Sequence, residues 1–306
     1  MMIAALYWCI STRLEWDIET QKAVKRMMDD SVENMNIAEN GTYFETNNDS
    51  SSCVQSPFWQ EESFGDLPND VKKYFHRAFL WTGEEEPMWM DSIKNIEKVI
   101  VEENGEMLVN GRWTPFSRTN YFSTSPTGLV SDLKLKYSTY VELPIEVDLR
   151  VLHTYTEQNG EDEEKAKLFG IFPSRIKTEL QGRSKLRWLY YTPIFPSTLL
   201  PRDTLVEWKE DRKKHWPFQR INTNDIILGY KELDGMDETH LRVHFDSQGL
   251  ITSMISDEEN IEFRFSEYNT YSGVLSPSYI ESGRVLNGVF RPDMKSDVTK
   301  VKYSFH

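Results

Sequence analysis

The stretch Leu186–Pro201, LRWLYYTPIFPSTLLP, decides how this chain is read. Its first part is helical. Ser184 is a candidate cap, and Leu186, Leu189 and Tyr190 fall on one helical face with Lys185 and Arg187 off it. Pro193-Ile194-Phe195-Pro196 stops the helix, because the residue before a proline is driven out of the α region. Ser197–Leu200 is then an apolar turn closed by Pro201. On both sides of this short apolar helix the period of the sequence is two, so it interrupts a long run of strands.

Upstream, Asp66–Phe79 reads as a short helix, with Val71, Tyr74, Phe75 and Ala78 at i, i+3, i+4 and i+7. Ile93–Val109 follows as strands with a hairpin turn expected at Asn104-Gly105 and a second turn at Asn110-Gly111. Trp113–Ser123, Leu129–Tyr137 and Ile145–Tyr155 continue the pattern; Leu133, Leu135 and Tyr137 alternate with Asp132, Lys134 and Lys136. Such alternation is the mark of an antiparallel sheet with one buried face and one wet face. Glu163 and Glu164 read as part of a charged turn beside Asp162. Downstream, strands are expected at Leu205–Lys209, Asp225–Leu233, His240–Asp246, Leu250–Ser256, Ile261–Tyr268, Ser278–Leu286 and Val298–Phe305, with a tight turn at Asp246-Ser247-Gln248-Gly249. Strands without intervening helices imply a meander and exclude a doubly wound fold.

The charge is uneven. The chain of 306 residues has a formal net charge of -14. Met27–Val71 holds ten acids and no Lys or Arg, so the remainder is nearly neutral. A body without a basic stripe excludes a nucleic-acid partner, which needs clustered cations to displace counterions. The expected organisation is an apolar start and helix over 1–36, an acidic flexible linker over 37–56, and a β-sheet domain over 57–306. The helix is Thr12–Asn34, with Thr12 and Glu15 as a capping box and Leu14, Ile18, Val24, Met27, Met28 and Val32 as its apolar stripe. Met1–Ile10 is apolar but only ten residues long. An interfacial anchor, the remnant of a longer hydrophobic region and a packed helix start all fit it, and it is the one segment suited to membrane contact. The compartment stays open. Asn40-Gly41-Thr42 and Asn48-Asp49-Ser50 match the glycosylation pattern, which has meaning only in a secreted chain.

The 186–201 stretch resembles the signature of a large, functionally uncharacterised prokaryotic domain family, whose members carry a run like LxRYLAEAxWFPTALLP. Other pieces follow in the same order: Leu67-Pro68 with Val71, Tyr74 and Phe75, then Gly111–Phe116 (GRWTPF), Tyr121, Pro126–Val130 (PTGLV), Leu168–Gly170 and His244–Gly249. The likeness spans Leu67–Phe305. It departs at Tyr191, where the signature has Glu, at Asn120 for Gln, and at Ile194 for Trp. The resemblance implies an α+β fold: a large curved, mostly antiparallel half-barrel of the lipoprotein-carrier-like kind, with a few short helices on its concave face. It implies no activity.

No nucleophile elbow, phosphate loop, dinucleotide fingerprint or zinc-protease motif occurs, and no cofactor or metal is called for. His240 and His244, four apart on a strand, lie about 13 Å from each other and cannot share a metal. The aromatic load is heavy and serves either an ordinary core or the wall of an apolar pocket. As a pocket it would comprise Trp113, Phe116, Tyr121, Trp188, Tyr191, Phe195, Leu199, Leu200 and Trp208, with Arg187 placed to grip a carboxylate or phosphate head group or to pair with a body carboxylate. The expected function is a non-enzymatic module holding an apolar or lipid-like ligand between the sheet and the 187–200 helix–turn. The alternatives are a hydrolase of a lipid-like substrate using Asp132 or Glu142 as base, and a scaffold acting through the acidic segment.

Overall fold

The structure is a computed structural model that describes residues 14–29, 66–79, 96–124, 127–138, 146–156, 161–168, 172–174, 184–201, 206–211, 225–231 and 238–305. Helix α1 is residues 14–29, α2 is Asn69–Ala78 and α3 is Ser184–Tyr190, followed by two 3-10 turns, η1 (Thr192–Ile194) and η2 (Pro196–Leu199).

Among the described residues, thirteen strands form one sheet. They are β1 Ile96–Val109, β2 Arg112–Thr124, β3 Thr127–Ser138, β4 Glu146–Thr156, β5 Glu161–Leu168, β6 Phe172–Ser174, β7 Val206–Asp211, β8 Asp225–Lys231, β9 Glu238–Phe245, β10 Ile251–Ser256, β11 Ile261–Tyr271, β12 Val274–Leu286 and β13 Val289–Phe305. Their order is β6-β5-β4-β3-β2-β1-β13-β12-β11-β10-β9-β8-β7, with every pair antiparallel. The sheet is therefore two meanders, β1–β6 and β7–β13, joined where the first strand pairs with the last. It is open and curled, the half-barrel expected from the sequence.

Local chemistry sets the hairpins. Asn110-Gly111, Ser272-Gly273 and Asn287-Gly288 all have positive φ, and each closes a two-residue connection. Two left-handed residues in succession match the twist of the flanking strands. Asn104-Gly105 is not a turn. It lies inside β1, and Gly105 sits opposite Ser296 just beyond a register shift at Glu102/Glu103. A Cβ at Gly105 would collide with the Lys295 carbonyl, so glycine here serves close backbone approach at a bulge. Glu163 and Glu164 also differ from expectation: they belong to strand β5, whose acids sit beside a short outermost strand. Charge near a sheet edge opposes edge-to-edge association, and the same composition hides the strand from a propensity reading.

The topology imposes one demand. β6 and β7 are consecutive in the chain but lie at opposite edges of the sheet. The α3–η1–η2 segment lies between them in sequence, and it is buried on the concave face from Ser184 to Leu200 except at Lys185. Helix α2 packs there too, through Val71, Tyr74, Phe75 and Ala78; Tyr74 meets Phe245 edge-on at 6.1 Å. Helix α1 lies on the other, convex face, where Trp16 and Met27 cover Val130 and Leu152. That placement corrects the expected stripe, for Leu14 and Ile18 point into solvent. Asn40, Asn48 and most of the acidic segment lie outside the described residues.

Gly105→Val is expected to lower stability by about 3 kcal/mol, because its side chain must displace β13 backbone. Gly111→Ala, whose Cβ meets open space, costs about 1 kcal/mol from its positive φ alone. Urea midpoints check both, and equal losses would contradict the close-approach reading.

Candidate functional site

The buried 184–200 segment makes its hydrogen-bonded connections to the sheet mainly through side chains. Its own backbone bonds are local, such as Ile194 N–H to Tyr191 O (2.9 Å) and Phe195 N–H to Thr192 O (2.9 Å). Trp188 Nε1 donates to Ser123 O (3.0 Å), Tyr190 OH to Ile261 O (2.9 Å), and Tyr303 OH to Ile194 O (2.7 Å). Around these bonds the rings interlock: Phe122 lies 5.2 Å from Tyr191 and 5.0 Å from Phe195, and Tyr190 stacks on Phe263 at 4.1 Å. The segment is a plug that fills the half-barrel.

At the centre of this apolar contact lies a polar cluster. Glu103 on β1 follows Val99 and Val101 inward, and its side chain is fully out of solvent. Its Oε1 accepts from Arg118 Nε at 2.6 Å, from Asn120 Nδ2 and from Tyr191 OH at 2.9 Å. Its Oε2 accepts from Ser296 Oγ, and Tyr191 OH lies 3.1 Å away. Burial alone would push this carboxyl up. The Arg118 charge and the bonds from Arg118 and Ser296 outweigh burial and hold it below the ordinary glutamate value. Arg118 NH2 also donates to Tyr191 OH at 2.5 Å. One carboxylate thus joins β1, β2, β13 and the plug.

Arg187 completes the cluster differently. It is 5% exposed and meets no carboxylate among the described residues. Its NH2 donates to two neutral acceptors, Asn120 Oδ1 (2.9 Å) and Ser131 Oγ (3.0 Å), and its buried Nε has no hydrogen-bond partner among the described residues. Burial first, and then the like charge of Arg118, bring its pKa down to about 10. Set against its ordinary value, that depression withholds on the order of 3 kcal/mol of folding free energy at neutral pH.

A second polar group holds the start of the plug. Ser184 Oγ contacts His153 Nε2 and donates to Asp162 Oδ1 (2.7 Å), while Asp162 Oδ1 lies 2.8 Å from the same His153 Nε2. Serine and aspartate share one imidazole nitrogen, so the three do not form a Ser-His-Asp relay, in which they occupy opposite nitrogens. Burial raises the Asp162 carboxyl, but the bonds from His153 and Ser184 prevail and lower it. The group clasps the edge of the sheet to the plug.

The expected ligand-lining residues divide. Phe116, Trp188, Tyr191, Phe195, Leu199 and Leu200 come together in the concave core, and Trp208 joins them by donating Nε1–H to Leu199 O (2.8 Å). Arg187 is among them. Trp113 stands apart next to the β1–β2 turn, 39% exposed, with the Lys295 ammonium 5.3 Å from its ring. Tyr121 is on the convex face, packed with the α1 cluster. Asp132 faces the same way and is engaged by Trp16 Nε1 (3.2 Å) and Arg150 NH2 (2.7 Å); Glu142 lies outside the described residues. Sequence reasoning missed Glu103, Arg118, Asn120, Ser131 and Ser296. Their signal was positional: Arg118 and Asn120 continue the two-residue period of Phe116 and Phe122.

The chain belongs to a family of unknown function (DUF6544), whose model matches residues 57–289. No curated protein matches it. Among solved structures it is similar to a DUF1329 family protein from Desulfovibrio piger ATCC 29098, at 14% identity and a TM-score of 0.39 over 70% of this chain and 88% of that one. A domain from Vibrio parahaemolyticus assigned to outer membrane lipoprotein sorting is similar at 6% identity and 0.36, over 68% and 85% of the two chains. A LolA superfamily protein from Nitrosomonas europaea is similar at 10% and 0.28, over 76% and 91%.

Glu103→Gln is expected to cost about 3–5 kcal/mol at neutral pH, since it leaves the buried Arg118 guanidinium without its bonded counter-charge. The wild-type carboxyl titrates below its ordinary value of 4.5. Its stabilisation is therefore complete above that pH and is lost as the pH falls below it, so the gap between the two proteins closes in acid. Arg187→Met is expected to be neutral or stabilising. Denaturant titrations at pH 7 and pH 3 check these signs; a greater loss from Arg187→Met than from Glu103→Gln would contradict them.

Proposed function

We propose that this half-barrel member of the family is a non-enzymatic binding module for an apolar or lipid-like ligand, taken up on the concave face when the 184–200 plug yields. One observation carries this reading. The plug fills the half-barrel with apolar side chains yet is tied to it mainly by side-chain bonds, so it can be displaced without breaking a strand ladder.

Magnitudes support the exchange. Each methylene moved out of water contributes about 0.8 kcal/mol, so a dodecyl chain brings roughly 9 kcal/mol. That is comparable to the apolar burial of three or four large plug side chains, at about 1.5–3 kcal/mol each. A chain-like ligand can therefore replace part of the plug at little net cost, and the polar clasps at Glu103 and at Ser184 set how far the segment opens.

The test uses the purified full chain and N-phenyl-1-naphthylamine, a neutral apolar fluorophore. Saturable 1:1 binding is expected, together with co-purified lipid in native mass spectrometry. The Ile194→Ala, Leu199→Ala double variant, which empties space under the plug, is expected to bind the probe at least tenfold more tightly. Absent or unsaturable binding by both proteins would overturn the proposal.

A further inference from the structure

The concave cluster is not electrically balanced. Among the described residues it holds two guanidiniums, Arg118 and Arg187, and one carboxylate, Glu103. Glu103 is saturated: Arg118, Asn120, Tyr191 and Ser296 supply its donors, and Arg187 makes no hydrogen bond to it. Arg118 spends its Nε on Glu103 and its NH2 on Tyr191 OH and Met294 Sδ (3.2 Å). Among the described residues Arg187 keeps a full positive charge, has only neutral acceptors, and has an Nε–H without a hydrogen-bond partner. Removal of a cation from water is costly unless it is paired, so a buried guanidinium left in this state is an unusual feature that calls for a ligand.

We infer that Arg187 is the receptor for the anionic head of an amphiphile: a carboxylate on an apolar chain, bonding to the guanidinium from within the apolar core. The inference rests on the apolar-ligand reading and deepens it by naming the ligand's polar end. A guanidinium offers a planar fork of donors that matches the two oxygens of a carboxylate. The surroundings fit the rest of such a molecule. Arg187 is carried on the plug helix between Leu186 and Trp188, and the Tyr191 ring lies 6.0 Å from its guanidinium carbon. With α3 held by the Arg187 bonds to Asn120 and Ser131, an alkyl chain that replaces the apolar side chains of the following 3-10 turns would place the head beside the cation that, among the described residues of this cluster, lacks a bonded carboxylate. Binding would then neutralise the cluster, whereas a neutral amphiphile would leave it charged. The second buried arginine makes the field at the site positive, which disfavours an ammonium head and adds selectivity by repulsion.

Isothermal titration of the full chain with dodecanoate, methyl dodecanoate, dodecylammonium, acetate and inorganic phosphate tests this. Wild type is expected to bind dodecanoate at least tenfold more tightly than the methyl ester, and dodecylammonium more weakly than either. Arg187→Met is expected to erase the preference of acid over ester, while Lys185→Gln, which removes a cation two residues away, keeps it. Equal binding of acid and ester by wild type overturns the receptor and leaves the apolar-ligand reading standing. Binding of none of the three amphiphiles overturns both. Arg187-dependent binding of acetate or phosphate, with no gain from an alkyl chain, overturns the amphiphile and points to a free anion. The wild-type comparison of acid with ester decides the matter even if Arg187→Met fails to fold.

Discussion

The structure turns on the carboxylate of Glu103. It sits on β1, one of the two strands that close the meanders into a single sheet, and it gathers donors from β2, β13 and the plug. A buried carboxylate is tolerated only when its lone pairs are used and its charge is answered, and here both conditions are met by groups far apart in sequence. Ser296 lies 193 residues from it and Tyr191 lies 88 away. Each must be in place for the others to be satisfied. The cluster thereby fixes the register of β1 against β13 and the seat of the plug at once.

That seat answers a topological problem. With β6 and β7 at opposite edges, the connecting chain includes a segment buried in the concavity, where its backbone must bond locally. A short helix and two 3-10 turns do this, and the prolines at 193 and 196 bend the path without costing a needed donor. The result is an apolar body bound to the sheet by rings and a handful of side-chain bonds. Packing of this kind is strong in sum and weak at any single point, which suits an element that exchanges with a ligand.

The meander was legible because alternation of apolar and polar residues is a direct record of one wet and one dry face. The plug was legible from a helix-period stretch bounded by prolines. What escaped has physical reasons. Asn104-Gly105 has the composition of a hairpin turn, but the register shift at Glu102/Glu103 uses that glycine for close approach to β13, a partner nearly 200 residues away. β5, Glu161–Leu168, was hidden by its acids. Leu14 and Ile18 count as part of a helical stripe in sequence, yet α1 turns Trp16 and Thr20 to the sheet in their place, while Val24, Met27 and Met28 of that stripe do pack there. The site was half legible. Its aromatics declared themselves, while Glu103, Arg118 and Ser296 look like any polar residues until the strands bring them together.

Amide hydrogen exchange across the plug tests the central claim most directly. The account predicts that amides of 184–200 exchange together, in one cooperative opening of lower free energy than β1 and β13 but well above that of exposed loops. Exchange of these amides at loop rates would mean that no packed plug exists. Exchange only with global unfolding would mean that it never yields, and either result would contradict a half-barrel that opens to bind.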